Sequence, residues 1–240
     1  MTAIAPGRIR RAALVTALCA LAVLTGCSED PDAGTNGVGK LSPGAIQSRT
    51  RAAAASVPTV RMAGTVVTSG RTYQLDMRLN DNGGTGSVTS KGSTFQLLRV
   101  NDTLYLQADA GFWSHADGSD TAASKLDGKY VKVPRTDPAY KKFSGFTDKD
   151  VLLSGLLTLH GSLATDGHHE QSGTRTIRIT GDSGSGGTLD VSLEGKPYPL
   201  RLQRGGGAGT LTFSDWGKDF SVAEPEKGET VDYGKQLPTS

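Results

Sequence analysis

The sequence predicts an α+β fold in which helices cover one face of a strongly twisted antiparallel β-sheet. Hydrophobic alternation with a period of two recurs along most of the chain, and two separate segments are helical in character instead. No strand–helix–strand rhythm occurs, which disfavours a doubly wound parallel sheet. The 32 glycines and the hydrophobic content of 36% are typical of a sheet-rich chain with many tight turns.

The first 26 residues have the layout of a secretory signal peptide. Three arginines at positions 8, 10 and 11 form a positive n-region, and the thirteen residues from Ala12 to Leu24 carry no charge. This run is short for a bilayer span, which takes ~20 residues. Leu24-Thr25-Gly26-Cys27 matches the bacterial lipobox, in which the cysteine is acylated and becomes the first mature residue. We therefore expect lipid on Cys27 and an extracytoplasmic domain at the cell membrane. The alternative is an ordinary cleaved signal and an incidental cysteine.

Removal of residues 1–26 leaves a mature chain of 214 residues with nearly balanced charge. The removed segment carries three arginines and no acidic residue, so the formal charge changes from +2 to −1. A near-neutral domain gives no reason to expect nucleic acid as a partner. Cys19 lies in the apolar run and Cys27 is assigned to the lipid, so we expect no disulfide in the mature chain.

The mature chain is predicted to begin with a tether and a helix. Residues 27–41 are expected to form a flexible tether because they are rich in Gly, Asp and Pro and lack a hydrophobic pattern. A helix is predicted over 43–56, with Ser42 as N-cap and Pro43 in the first turn. Its alanine-rich sequence has high helix propensity, and Pro58 ends it.

After this helix the hydrophobic period becomes two. Tyr73, Leu75, Met77 and Leu79 alternate with polar residues, as in a half-buried strand. A turn is predicted at Asn82-Gly83-Gly84. The same reasoning places strands at 60–68, 73–79, 85–91, 94–100, 103–108 and 130–134.

A second helix is predicted at 148–154, with a weaker continuation to Leu159, in the most apolar stretch of the mature chain. Thr147 and Asp150 have the spacing of a capping box at its start. Residues from Phe220 onward are polar and are expected to run along the surface. Four further strands are predicted at 174–180, 187–194, 197–204 and 209–214.

Three motifs suggest chemistry, and loop structure explains each of them better. Gly181-Asp182-Ser183-Gly184 resembles the nucleophile stretch of trypsin-like proteases, but the match ends after four residues. A serine nucleophile also needs a histidine base, and His160 lies in a sequence unlike that of a protease histidine. The motif lies between two strand patterns, where Gly, Asp and Ser are common turn residues.

The other two motifs concern a metal and a phosphate. His168-His169-Glu170 is interpreted as a solvated loop, because adjacent residues on a strand point to opposite faces and no second cluster has ligand spacing. Residues 205–209 are mostly glycine, but they open a strand, whereas a phosphate loop must open a helix. We expect no catalytic site, no metal and no cofactor, and hence no enzyme.

The hydrophobic pattern offers one apolar sheet face and two covering segments, the leucine-rich residues 151–159 and the alanine-rich first helix. Core packing is the simplest role for any one of these side chains. Small residues over a wide sheet are nevertheless expected to leave an apolar cavity. The side chains predicted to line this cavity are Leu75, Met77, Leu79, Leu97, Leu104, Leu106, Leu152, Leu153, Leu156 and Leu157.

Several segments occur in an order that resembles the actinobacterial LppX/LprG-type lipoproteins, which share the LolA-like lipoprotein-carrier fold. These segments are the lipobox, the helix before a Val-rich strand, the sequence GKYVKVP at 128–134, and LTFSDWGK at 211–218 with Pro225 beyond it. The resemblance spans residues 42–233. It implies a half-barrel antiparallel sheet, helices that enclose a hydrophobic cavity, and carriage of acylated lipids or glycolipids across the cell envelope.

With this resemblance, the chain is predicted to contain a signal peptide (1–26), a tether (27–41), one LolA-like domain (42–235) and a C-terminal tail (236–240). The expected function is binding of a hydrophobic ligand between sheet and helices, with envelope lipid transport as its purpose. The expected partners are the cell membrane, reached through acyl chains such as palmitate on Cys27, and a lipid or glycolipid. The domain is expected to be a monomer. The alternative is a cell-surface interaction or sensor module with a filled core.

Overall fold

The computed structural model describes residues 1–3, 30–117 and 120–232. The chain divides into two units, Met1–Asp30 and Pro31–Ser240, and the helices and strands described here belong to the second. The helices are α1 (Pro43–Ala55), α2 (Ala110–Asp117), α3 (Asp120–Leu126), α4 (Pro138–Ser144) and α5 (Lys149–Leu156). The strands are β1 (Thr59–Thr68), β2 (Arg71–Asn80), β3 (Gly83–Ser90), β4 (Ser93–Val100), β5 (Thr103–Ala108), β6 (Tyr130–Val133), β7 (Leu163–Gln171), β8 (Thr174–Gly181), β9 (Gly187–Ser192), β10 (Pro199–Arg204), β11 (Thr210–Ser214) and β12 (Thr230–Asp232).

The twelve strands form one sheet in the order β12-β6-β5-β4-β3-β2-β1-β11-β10-β9-β8-β7. Neighbouring strands are antiparallel except β12 and β6, which are parallel. Two meanders meet where β1 pairs with β11, so the first and last long strands of the domain lie side by side. An open sheet of more than about ten strands curls as its twist accumulates. The predicted α+β fold with a curved antiparallel sheet is confirmed.

Glycines inside the strands contribute to this curvature. Gly64 in β1 and Gly86 in β3 have φ angles of 135° and 154°, which side chains rarely tolerate. A Cβ on Gly64 would collide with the carbonyl oxygen of Thr210, and one on Gly86 with that of Asp76. Glycine in a strand interior marks a bend or a close backbone approach. Part of the high glycine content therefore serves the sheet itself, in addition to its turns.

Both predicted helices and all ten predicted strands are present within two residues of their predicted bounds. Two details differ. The turn after β2 consists of Asp81 and Asn82, while Gly83 and Gly84 already pair within β3. The N-cap of α5 is Asp148 rather than Thr147, because the Asp148 carboxylate accepts the Val151 N–H at 3.0 Å.

Five elements were not predicted: the helices α2, α3 and α4, the edge strand β7, and the short strand β12 in the segment that was expected only to run along the surface. Strand β7 contains His168-His169-Glu170, so the interpretation of this motif as a loop is wrong. The side chains of β7 are exposed or half-buried on both faces, and the strand therefore lacks hydrophobic alternation. Its pairing with β8 shifts register between Thr165 and His168, which indicates a bulge.

The core lies between the sheet and its helices. The predicted apolar face is buried throughout, including Leu75, Met77 and Leu97. Aromatic side chains from the segment that follows β5 pack on it: Phe143 of α4 lies 5.1 Å from Phe95, measured between ring centroids. Besides the predicted leucines of 151–159, the helices cover this face with large side chains that were not predicted: Phe112, Trp113, Leu126 and Phe143.

The N-terminal segment Pro31–Leu41 packs against the strands β8 and β9. The Asn36 N–H donates to the Leu193 carbonyl at 2.9 Å, and its side-chain amide donates to the Ser192 carbonyl at 2.9 Å. Val38 is buried in the core cluster. The packed unit thus begins within the predicted tether of residues 27–41, and the boundary placed at 42 lies inside it.

Candidate ligand-binding pocket

Two anchors at its N-terminal end place helix α5 over the sheet. The guanidinium of Arg99 in β4 donates to the Thr147 carbonyl at 2.8 Å and lies 3.4 Å from the Asp148 carboxylate. Lys149 is buried; its ammonium donates to the Val57 carbonyl at 2.8 Å and pairs with Asp81 at 2.9 Å. Buried charges require such partners, so these contacts fix the direction of the helix.

Helix α5 presents two neighbouring rows of leucines. Residues three or four positions apart share one side of a helix. Leu153 and the following Leu157 are buried in the core. Leu152, Gly155 and Leu156 lie on the adjacent side, where both leucines are only partly buried. The second row lines an open pocket that it shares with residues of the β1–β2 hairpin.

This pocket has a volume of about 680 Å³ and lies between the β1–β2 hairpin, the end of β10, α4 and α5. Its apolar wall includes the rings of Tyr73 and Phe146, whose centroids are 5.5 Å apart. The polar part of the lining comes from hydroxyl groups of the hairpin and from three cations. The lining residues are Val66, Thr68, Ser69, Arg71, Tyr73, Lys142, Phe146, Leu152, Gly155, Leu156 and Arg204.

Strand register explains why apolar and cationic side chains share this pocket. Val66 pairs with Tyr73, and Thr68 pairs with Arg71, at the open end of the hairpin. Side chains two residues apart point to the same face of a strand, so Arg71 lies on the face of the buried Tyr73. Arg204 likewise lies on the face of the buried Leu202. Lys142 reaches the pocket from α4.

The structure separates the ten predicted cavity residues into two sets. Leu152 and Leu156 line the pocket. The other eight are buried in the core cluster away from it: Leu75, Met77, Leu79, Leu97, Leu104, Leu106, Leu153 and Leu157. Aromatic rings from the unpredicted helices α2 and α4 pack on Phe95 of β4, whereas the pocket lies at the β1–β2 hairpin.

Sequence reasoning missed the rest of the lining, although one pattern pointed toward it. Arg71 continues the alternation of Tyr73 and Leu75, which places a cation at the end of an apolar face. Phe146 and Lys142 have no such pattern, because the short helix α4 was not recognised. Cys27 lies outside the described residues, so its lipidation stays a prediction.

The motifs that suggested enzymatic chemistry form turns in the structure. Residues 182–184 form a 3₁₀ turn between β8 and β9, as expected for a hairpin loop. The Asp182 carboxylate accepts the Ser162 N–H at 2.7 Å, and the His160 N–H donates to the Gly186 carbonyl at 3.2 Å. Within the described part of the chain, no hydrogen bond joins Ser183 Oγ to His160.

The residues 205–207 likewise form a 3₁₀ turn between β10 and β11. Among the residues that the structure describes, no three His, Cys, Asp or Glu side chains are grouped as metal ligands would be. No helix in the described part of the chain has the length and apolar character that a bilayer crossing requires.

Solved structures share this architecture. LprF from Mycobacterium bovis superposes with a TM-score of 0.53 at 16% identity, over 75% of this chain and 95% of that one. The lipoprotein LppX from Mycobacterium tuberculosis covers 76% of this chain and all of its own length at 16% identity, with a TM-score of 0.46. No family model matches the chain, and no curated protein sequence matches it either. The resemblance to LppX/LprG-type lipoproteins is thereby confirmed at the level of the fold: the chain has the LprF-like fold of an open antiparallel sheet covered by helices.

Proposed function

We propose that the chain is an extracytoplasmic lipoprotein that binds a lipid or another acylated molecule in the pocket beside α5. The observation that supports this most is the pocket itself, with leucine and aromatic side chains over the open end of the sheet. Its volume of about 680 Å³ is within the range of small-molecule sites. The resemblance to LppX/LprG-type lipoproteins, which implies carriage of acylated lipids or glycolipids, supports the same conclusion.

The driving force of binding is desolvation of the acyl chain. Each methylene group that leaves water contributes about 0.8 kcal/mol. The wall formed by Val66, Tyr73, Phe146, Leu152 and Leu156 replaces water around that chain. A covalent step is not needed, and the ligand leaves by the same mouth that it entered. Reversible binding of this kind suits a protein that transfers lipid within the envelope.

Membrane anchoring through Cys27 completes the proposal. Only residues 28–30 separate Cys27 from Pro31, where the packed unit begins. Three residues span at most about 10 Å when fully extended. A lipid on Cys27 therefore holds the domain close to the headgroups, rather than at the distance that a longer tether would allow. A short connection favours exchange of lipid between bilayer and pocket.

Filling the pocket tests the proposal. Leu156→Trp adds bulk where the side chain borders open space, so it should displace the acyl chain at little cost in stability. We expect it to weaken binding of a pyrene-labelled hexadecanoate by about tenfold, which corresponds to about 1.4 kcal/mol. Val151→Trp is the matched control, because Val151 lies on the same helix and is 59% exposed. Binding is measured by fluorescence titration, and folding by thermal unfolding.

The burial of eight predicted cavity residues favours a second function, an interaction or sensor module that holds no ligand. The two functions differ in the wild-type titration. The lipid-binding function is supported if the wild-type protein binds the probe saturably, if Leu156→Trp weakens that binding, and if Val151→Trp leaves it unchanged. A wild-type protein that takes up no probe supports the interaction module instead.

A further inference from the structure

The lining of the pocket includes three positive charges and, among the residues that the structure describes, no acidic side chain. Arg71 comes from the start of β2, Lys142 from α4 and Arg204 from the end of β10. These cations are distant in sequence and are brought together only by the fold. The mature chain has a predicted net charge of −1, so overall basicity does not account for the cluster.

Among the described residues these cations have no ionic partner, unlike comparable arginines elsewhere in the same part of the chain. Arg61 pairs with Asp76 and Arg178 with Asp190, in both cases with two hydrogen bonds. Within residues 30–117 and 120–232, no carboxylate lies within 4 Å of the side-chain nitrogens of Arg71, Lys142 or Arg204. Their charges are thus available to a bound molecule.

Arg204 is held in place by the backbone. One guanidinium nitrogen, Nη1, donates to the carbonyl of Val67 at 3.2 Å and to that of Ala208 at 3.3 Å. Its Nε and Nη2 groups have no hydrogen-bond partner among the described residues. A guanidinium fixed on one side offers its remaining donors in a defined direction, which suits a carboxylate or phosphate group. Arg71 and Lys142 are exposed and add charge around it.

We propose that this pocket takes an anionic amphiphile, whose acyl chain lies against the apolar wall and whose carboxylate or phosphate group is bound by Arg71, Lys142 and Arg204. The inference rests on the proposed function and specifies its ligand class. The same three charges at the mouth attract anionic lipids electrostatically, and salt screens that attraction over about 10 Å at 0.1 M. A neutral lipid of equal chain length gains only the apolar part of the interaction.

Two matched probes test the charge requirement: pyrene-labelled hexadecanoate and its uncharged methyl ester. The variant Arg71→Gln/Lys142→Gln removes two cations and leaves Arg204 and its backbone contacts intact. The control Lys132→Gln/Lys141→Gln removes the same charge from exposed positions, one of them adjacent to Lys142 on α4, that do not line the pocket. A third arm adds inorganic phosphate alone and follows the melting temperature, which distinguishes a free anion from a lipid headgroup.

We expect the wild-type protein to bind hexadecanoate more tightly than the ester. The Arg71→Gln/Lys142→Gln variant should bind the acid about tenfold more weakly and the ester unchanged, while the control binds both as the wild type does. If the Arg71→Gln/Lys142→Gln variant loses affinity for both probes equally, or keeps its affinity for the acid, the anionic ligand class is overturned. Lipid binding itself then still stands. Stabilisation by phosphate alone also overturns it, in favour of a free anion. Failure of the wild type to bind either probe overturns the proposed function itself.

Discussion

At the scale of single residues, the face of the sheet opposite the helices is organised by ion pairs. The Arg178 Nε lies 2.6 Å from an oxygen of Asp190, which is almost fully buried. This hydrogen bond and the charge of Asp190 raise the pKa of Arg178. The hydrogen bond from Arg61 lowers the pKa of Asp76, so the stability that this half-exposed pair adds is lost as the pH falls through that lowered pKa.

Asp190→Asn tests the importance of the buried pair. The amide keeps the size of the side chain but removes its charge, and one donor group then faces the Arg178 guanidinium. We expect a loss of about 1.5–3 kcal/mol in the free energy of unfolding, measured in urea. Glu170→Gln, an exposed change on β7, is the control and should alter stability by less than about 0.5 kcal/mol. An Asp190→Asn protein as stable as the wild type would show that the pair contributes nothing net.

At the scale of elements, hydrophobic periodicity predicted those strands that bury one face and expose the other. Tyr73 to Leu79 alternates cleanly because β2 is a central strand under the helices. Strand β7 could not be predicted, since it lies at an edge and is polar on both faces. The helices α2, α3 and α4 have eight residues or fewer and, unlike the equally short α5, contain no run of leucines, so no helical pattern stood out.

The location of the pocket could not be predicted from the sequence either. The leucines of α5 were recognised as a cover, but Leu152 and Leu153 differ only in which side of the helix they occupy. That assignment depends on the Arg99 and Lys149 contacts that fix the helix, and these join residues far apart in sequence.

The N-terminal segment is the element on which membrane anchoring depends. Asn36 and Val38 hold residues 31–41 against the sheet, and Cys27 is the residue expected to tie the domain to the bilayer. Cys27→Ala should therefore abolish incorporation of radiolabelled palmitate, and the protein should be released from the membrane or kept as an uncleaved precursor. Cys19→Ala is the matched control and should keep the label. Palmitate incorporation that persists in Cys27→Ala would contradict the lipobox assignment.

At the scale of the whole molecule, the helices of the described residues cover a sheet of twelve strands and leave a pocket beside α5. Aromatic side chains such as Phe95, Phe143 and Trp113 are buried in the core cluster and stabilise the fold there. The pocket lies where α5 faces the β1–β2 hairpin. A ligand in the proposed pocket would occupy the margin of the sheet–helix layer, and its binding would not require the core to open.

Native mass spectrometry of the protein purified from its own cell envelope tests lipid binding in this pocket most directly. We predict a non-covalent mass excess on the wild-type protein that disappears after extraction with organic solvent. The excess should be reduced in Leu156→Trp and retained in Val151→Trp, because only the first substitution fills the pocket. A wild-type protein that carries no bound molecule and takes up no added acyl probe would contradict the account.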